Sequence, residues 1–161
     1  MLLTHARLLE VLHYDPETGV FRWRTTLSNR ARRGAEAGSA AKYRRITVDG
    51  EIYRAARLAW FYVHAAWPVG DVDHINGVKT DDRLRNLRDV SRRVNNENQR
   101  VAKRSSGTGL LGASLCQCTG RYVARITTEG RSRNLGRFDT PEEAHAAYIA
   151  AKRKYHEGNT L

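Results

Sequence analysis

Turn-forming pairs recur along the chain and cut it into short segments. Asp49-Gly50, Asn76-Gly77, Thr119-Gly120 and Glu129-Gly130 each sit between runs of strand length. Gly, Asn and Asp tolerate the backbone geometry of tight turns, and Asp-Gly between alternating strands is a strong hairpin signal. With 161 residues, the chain makes one ordinary domain or two or three small modules. Hydrophobic residues form 40% of it, enough for compact cores but not for one large one. The expected class is α+β.

The first segment opens with a short amphipathic helix carrying Leu8, Leu9, Val11 and Leu12. A turn cluster, Tyr14 to Gly19, leads into a half-buried strand from Val20 to Arg24. Residues 28–41, with Arg30, Arg32 and Arg33, lack periodicity and read as a mobile basic loop. Tyr43 to Val48 and Ile52 to Arg54 flank Asp49-Gly50 as a hairpin, with Glu51 starting the return strand. A helix from Ala55 to Ala66 turns Leu58, Ala59, Phe61 and Tyr62 inward. Trp60 and Trp67 are expected in the core. The middle predicts a strand from Val72 to Ile75, a loop from Asp81 to Asn86 and a strand from Leu87 to Val90. Ser91 then caps a helix running to about Arg100.

The last segment predicts three strands and a helix. Gly112 to Gln117, Arg121 to Thr127 and Arg131 to Leu135 form the sheet. Thr140 at the cap, Pro141 at the first position and Glu143 in a capping box start the helix. Ala144, Ala147, Tyr148, Ala151 and Tyr155 share one face, so helix and sheet pack closely through small residues. Lys152, Arg153 and Lys154 occupy the other face.

Lys and Arg number 28 against 17 Asp and Glu, a net charge of +11. Such an excess selects a polyanionic partner. No apolar run approaches the roughly 20 residues of a spanning helix, so a membrane is not the expected partner. The first residues show no basic region followed by a long apolar core. A cytoplasmic location is expected, within a bacterial host cell if the protein is phage-encoded. Cys116 and Cys118 read as reduced thiols. The alternative is half of a zinc site completed by His145 and His156, in a zinc-stabilised RNA-binding module.

The charge is unevenly spread. Residues 1–70 hold 11 basic and 6 acidic residues, and residues 101–161 hold 10 and 5. Residues 71–100 hold 7 and 6, nearly balanced. That middle gathers Asp71, Asp73, Asn76, Asp81, Asp82, Asn86, Asn95, Asn96 and Asn98. Oxygen donors inside a basic protein suit a divalent cation held against a nucleic-acid backbone, although Asp and Asn also serve turns and caps. Asp73 and His74 point to opposite faces of a strand, but at a strand end both can line one cleft. Asn95 and Asn98 lie one helical turn apart on one face.

From Val72 to Gln99 the chain resembles the HNH nucleases of ββα-metal fold, particularly the small phage and intron-encoded homing endonucleases. The resemblance rests on Asp73-His74-Ile75-Asn76-Gly77, Asn86-Leu87-Arg88 and the Asn-rich helix, in that order. It implies a metal-dependent DNA endonuclease. Asp73 and Asn95 ligate one Mg²⁺ or Mn²⁺ ion per active site, with Asn98 the second choice. His74 is the general base for the attacking water, and Asn86 bonds across the loop to orient it. Relatives often carry a histidine where Asn95 stands, and its amide oxygen is a hard donor that suits Mg²⁺ or Mn²⁺ better than zinc. Tyr14 to Phe21 and Arg57 to Trp60 match structural motifs that precede such cores, with Ala56 where relatives often have histidine.

Residues 108–161 resemble the plant ethylene-response-factor (Apetala-type) DNA-binding domain, which also occurs in phage endonucleases. Gly120 to Ile126, Leu135 to Thr140 and Glu142 to Tyr148 carry this likeness. It implies a three-stranded sheet in the major groove of duplex DNA with a helix behind it. Gln117, Arg121, Arg125 and Thr127 lie on or near the exposed face, with Ser132 and Asn134 opposite. Arg125 is assigned to guanine, Gln117 or Asn134 to adenine, and Arg131 and Arg133 to phosphates. Relatives often carry tryptophan where Leu115 stands, at the presumed DNA face. The expected organisation is a basic helix and hairpin region (1–70), the ββα-metal motif (71–102), a linker (103–107) and the DNA-binding module (108–161). A monomer is expected, with a dimer left open. The alternative function is a DNA-binding regulator with an inactive nuclease core.

Overall fold

A computed structural model of the chain describes residues 3–39 and 42–161. It divides into two units, Met1–Arg92 and Arg93–Leu161. Helices and small antiparallel sheets alternate through both, so the fold is α+β as expected.

In the first unit, α1 (His5–Val11) runs directly into β1 (Leu12–Asp15), which pairs with β2 (Val20–Trp23). Sequence reading placed Leu12 on the helix and Tyr14 in a turn. Both instead join a hairpin, because Leu12 and Tyr14 alternate inward against Phe21 and Trp23. Thr4 caps α1 by accepting from the Arg7 amide. β3 (Arg45–Val48) and β4 (Glu51–Arg54) form the expected Asp49-Gly50 hairpin, with φ of 50° and 86° at the turn. Positive φ at both central residues matches the twist of the flanking strands.

α2 (Ala55–His64) ends earlier than expected, at Ala65 in the left-handed region. It buries Leu58, Ala59 and Phe61 against Leu8, Val11, Phe21, Ile46 and Val48. Tyr14 stacks on Phe21 at 4.6 Å and Phe61 on Trp67 at 4.2 Å between ring centroids. Trp67 therefore packs on the core as expected. Trp60 lies against His64 instead, half-buried at 4.2 Å between centroids.

The segment expected to be a mobile basic loop is pinned over its described part. Bridges join Arg22 to Glu36 and Ser39 to Arg45, while Ala31 and Ala37 are buried in the core. Its short apolar side chains supply the anchors that periodicity missed. Residues 40 and 41 of that loop lie outside the described residues, as do residues 1 and 2. The unit closes with β5 (Asp71–His74) paired to β6 (Leu87–Val90), with Asp73 opposite Arg88 and His74 opposite Leu87.

The second unit begins with α3 (Arg92–Glu97), whose first residue falls at the boundary. The helix was expected to reach about Arg100. It stops because the chain tightens at Asn98, whose amide bonds both the Val94 and Asn95 carbonyls. The C-terminal residues then dock on this stretch. Arg93 pairs with Glu157 at 2.7 Å, and the Gly158 amide donates to Glu97 at 3.0 Å. A Cβ at Gly158 would fall 2.0 Å from the Val94 carbonyl oxygen, so only glycine allows this approach.

β7 (Ala113–Leu115), β8 (Tyr122–Thr128) and β9 (Arg131–Phe138) form the expected three-stranded sheet. α4 (Pro141–Tyr155) packs on it, starting with the predicted Thr140–Glu143 capping box. Ala113, Ala124 and Ala144 make the contact, confirming a close approach through small residues. Lys152 departs from expectation. It is fully buried rather than on the outer face, and its Nζ donates to the Gln99 carbonyl.

Candidate functional site

β5 ends in the pair Asp73-His74, and both side chains are buried. Just beyond, the Gly77 amide turns the chain back onto the His74 carbonyl at 2.8 Å. The loop that follows returns through a single 3-10 turn, Leu84–Asn86, into β6. Asn86 bonds the backbone on both sides of this loop. Its Oδ1 accepts from the Asn76 amide at 2.9 Å, and its Nδ2 donates to the Asp81 carbonyl at 2.8 Å. Both bonds are with loop backbone, so Asn86 acts on His74 through the loop conformation.

The carboxylate on the imidazole comes from a residue the sequence reading placed only in the loop. Asp82 Oδ1 lies 2.9 Å from His74 Nε2, with both side chains nearly sealed from solvent. Eight residues separate them, and only the folded-back loop brings them together. Tyr14 donates its hydroxyl to the Asp82 carbonyl at 2.7 Å, and burial beside Asp82 pushes the Tyr14 phenol well above its ordinary range. Gly19 packs against the same backbone. A Cβ there would come within 2.5 Å of the Arg83 nitrogen, at a φ of +75°. The turn between β1 and β2 thus braces the loop that carries Asp82. Next to it, the Arg83 guanidinium, followed by the Asn76 amide, holds the Asp81 carboxyl down to about 2.

Asp73 carries a second charge pair. Arg88 Nε and Nη2 both approach its Oδ2, at 3.0 and 2.8 Å. Around the histidine, Tyr43 lies 6.3 Å away between ring centroids. Arg54 and Lys79 sit over the Tyr43 ring at 4.6 and 5.4 Å. Both are exposed, and among the described residues neither pairs with a carboxylate, which suits them to a phosphate.

Asp73, His74 and Asn86 therefore come together in the first unit, while Asn95 and Asn98 belong to the second. Asn95 is half-buried on α3. Asn98 is buried, and its Oδ1 accepts the Thr160 hydroxyl. Among the described residues no cluster of three or more His, Cys, Asp or Glu side chains is placed to hold a metal. The Asp73 carboxylate is a hard oxygen donor of the kind that divalent cations such as Mg²⁺ or Mn²⁺ take.

Gln117, Arg121, Arg125, Thr127, Arg131, Arg133 and Asn134 are all exposed on or beside the second unit's sheet. Strand register sorts them by face. Arg125 lies opposite Asn134 and Thr127 opposite Ser132, on the side away from α4. Arg133 lies opposite the buried Ile126 and over the Tyr155 ring at 5.4 Å, on the helix side, where Arg131 also falls. Arg121 pairs with Asp139 at 2.9 Å. A bulge after Ala124 resets the register between these groups. Leu115 is the register partner of Tyr122, which packs toward α4. The pleat therefore turns Leu115 to the helix side rather than the outer face. Ser114, Arg125 and Thr127 line a cavity of about 780 Å³ together with Arg93, Lys103 and Ser105.

The thiols of Cys116 and Cys118 are free and 2.9 Å apart. His145 donates its Nδ1 proton to the Leu111 carbonyl at 2.8 Å, and His156 donates its Nε2 proton to the Thr127 carbonyl at 3.0 Å.

Residues 53–97 match the family model of the HNH endonuclease, which supports a nuclease acting on nucleic acid. The matched span covers β4 through α3 and so contains Asp73, His74, Asp82, Asn86 and Asn95. No curated protein and no solved structure matches the chain. No helix among the described residues is long and apolar enough to cross a membrane.

Proposed function

We propose that the chain is a metal-dependent DNA endonuclease of the phage or homing type. Residues 108–161 are the module that binds duplex DNA. The observation that carries this reading is the buried His74 at the end of β5, beside Asp73 and under a loop cross-linked by Asn86, all inside the HNH-matching span.

His74 takes a proton from water as the water oxygen attacks phosphorus, and the bond from phosphorus to the leaving sugar oxygen breaks. An imidazole nitrogen with a free lone pair is a common general base for such a step. Arg54 and Lys79, stacked on Tyr43, hold the phosphate diester next to the imidazole. Asp73 and Asn95 are the residues assigned to hold one Mg²⁺ or Mn²⁺ ion. Asn98 is the second choice, and its oxygen accepts the Thr160 hydroxyl. When bound, the ion supplies charge stabilisation at the phosphoryl and leaving oxygens. In the second unit, Arg125 and Asn134 face the groove as a pair, with Gln117 at the preceding turn.

Nicking of supercoiled plasmid tests the reading. Mg²⁺ or Mn²⁺ is expected to support conversion to open circles and EDTA to abolish it. Binding to duplex DNA with no cleavage under any divalent metal would instead define a DNA-binding regulator.

A further inference from the structure

We propose that Asp82 is the positioning residue for His74. Its carboxylate accepts the Nε2 proton and so fixes the ring tautomer with the basic lone pair on Nδ1. This rests on reading His74 as the general base.

The geometry is specific. The Nε2–Oδ1 distance is 2.9 Å, and the two side chains are 5% and 2% exposed. An ionised carboxylate can only accept, so Nε2 carries the proton and Nδ1 is left as the nitrogen that receives one. The other Asp82 oxygen, Oδ2, is buried with no hydrogen-bond partner among the described residues. A stranded buried acceptor costs stability, so a carboxylate is a poor choice here unless the ring needs it. Asn86 does not take this part, because its amide is spent on the Asn76 and Asp81 backbone.

The brace on Asp82 comes from outside the HNH-matching span. Tyr14 holds the Asp82 carbonyl at 2.7 Å, and the missing side chain of Gly19 lets the β1–β2 turn close on Asp82 and Arg83. The N-terminal hairpin therefore has a role in the active site that no direct contact with substrate would reveal. It sets the position of the group that orients the base.

The test uses the full chain, uniformly labelled with ¹⁵N, and its Asp82→Asn and Tyr14→Phe variants. Long-range ¹H–¹⁵N spectra of the His74 ring report which nitrogen is protonated, with His74→Ala assigning the signals. The wild type is expected to show a proton on Nε2. In Asp82→Asn, an isosteric change, the amide can donate to Nε2 and shift the proton to Nδ1. Single-turnover nicking is then expected to fall by about 10²–10⁴, as expected for a base held in the wrong tautomer, with little change in KM. Tyr14→Phe is expected to lower the rate by less and leave the tautomer unchanged.

A proton on Nδ1 in the wild type overturns the proposal, and this outcome needs neither Asp82→Asn nor Tyr14→Phe to fold. An Asp82→Asn chain that nicks within a fewfold of wild type also overturns it, as does one that loses rate with its ring tautomer unchanged. If the wild type never nicks, the proposed function fails, while the spectrum still decides whether Asp82 sets the ring.

Discussion

The candidate catalytic site of the first unit and the sheet of the second spend their polar groups in opposite ways. The first buries them. Asp73, His74, Asp82 and Asn86 are all nearly excluded from solvent, and the bonds of Asn86 and Asp82 tie them to a loop braced by Tyr14. The second has a core of small residues, Ala113, Ala124 and Ala144, and leaves its Arg and Asn side chains exposed on the sheet. A buried network fixes geometry, which bond-breaking chemistry demands. An exposed cationic sheet adapts to a ligand whose charge it neutralises. Damage to the buried site should destroy chemistry and stability together, while damage to the exposed face of the sheet should alter binding alone.

Asn86→Ala should give the largest effect on stability. It strands the Asn76 amide and the Asp81 carbonyl inside the loop, at a cost on the order of 3 kcal/mol for the two groups. The urea midpoint followed by tryptophan fluorescence measures it. An unchanged midpoint would mean the loop is held by other bonds. Arg125→Ala should leave that midpoint in place and act on DNA. If Arg125 reads a base edge, preference at one position relaxes by about 1–3 kcal/mol. If it contacts a phosphate, the log–log salt slope becomes shallower by about 0.9 and base preference is unchanged. Titrations at several salt concentrations separate the two.

Acid sharpens the comparison further. The Asp81 carboxyl is held down to about 2, chiefly by Arg83, so its folded pKa lies below its unfolded one. Its stabilisation is complete above the ordinary carboxylate pKa of about 3.9 and is lost as pH falls toward about 2. Asp81→Asn should flatten this part of the thermal-stability profile, and an unaltered profile would contradict it. The smallest effect concerns the thiols. The Cys118 thiol, followed by the Thr119 hydroxyl, brings the Cys116 thiol down to about 7, while the neighbouring Cys116 raises Cys118. Iodoacetamide at neutral pH should label Cys116 first, as read by peptide mass. Equal labelling would remove the asymmetry.

The parts of this architecture with local signals were readable from sequence. Thr140, Pro141 and Glu143 marked the start of α4, and Asp49-Gly50 marked its hairpin, because caps and tight turns depend on neighbours in the chain. His74 and Asn86 stood out through the family resemblance, and Asn86 bonds the Asn76 and Asp81 backbone. Asp82 did not stand out, since its partner lies across a folded loop and its brace comes from Tyr14, 68 residues away. A second acidic residue after Asp81, in a loop closed by Asn86, was the only available hint. Lys152 misled for a related reason. A basic triplet looks solvated, but the chain near Gln99 supplies a buried acceptor and burial lowers the ammonium pKa. The ends of α2 and α3 also depended on tertiary contacts, Ala65 turning left-handed and the C-terminal residues docking beyond Glu97.

The central claim is that His74 is the base of a phosphodiester hydrolase, and single-turnover plasmid nicking by wild type and His74→Ala, each with Mg²⁺, tests it most directly. The account predicts that the variant still folds and binds DNA but nicks slower by about 10²–10⁴. Equal rates for the two proteins would contradict it.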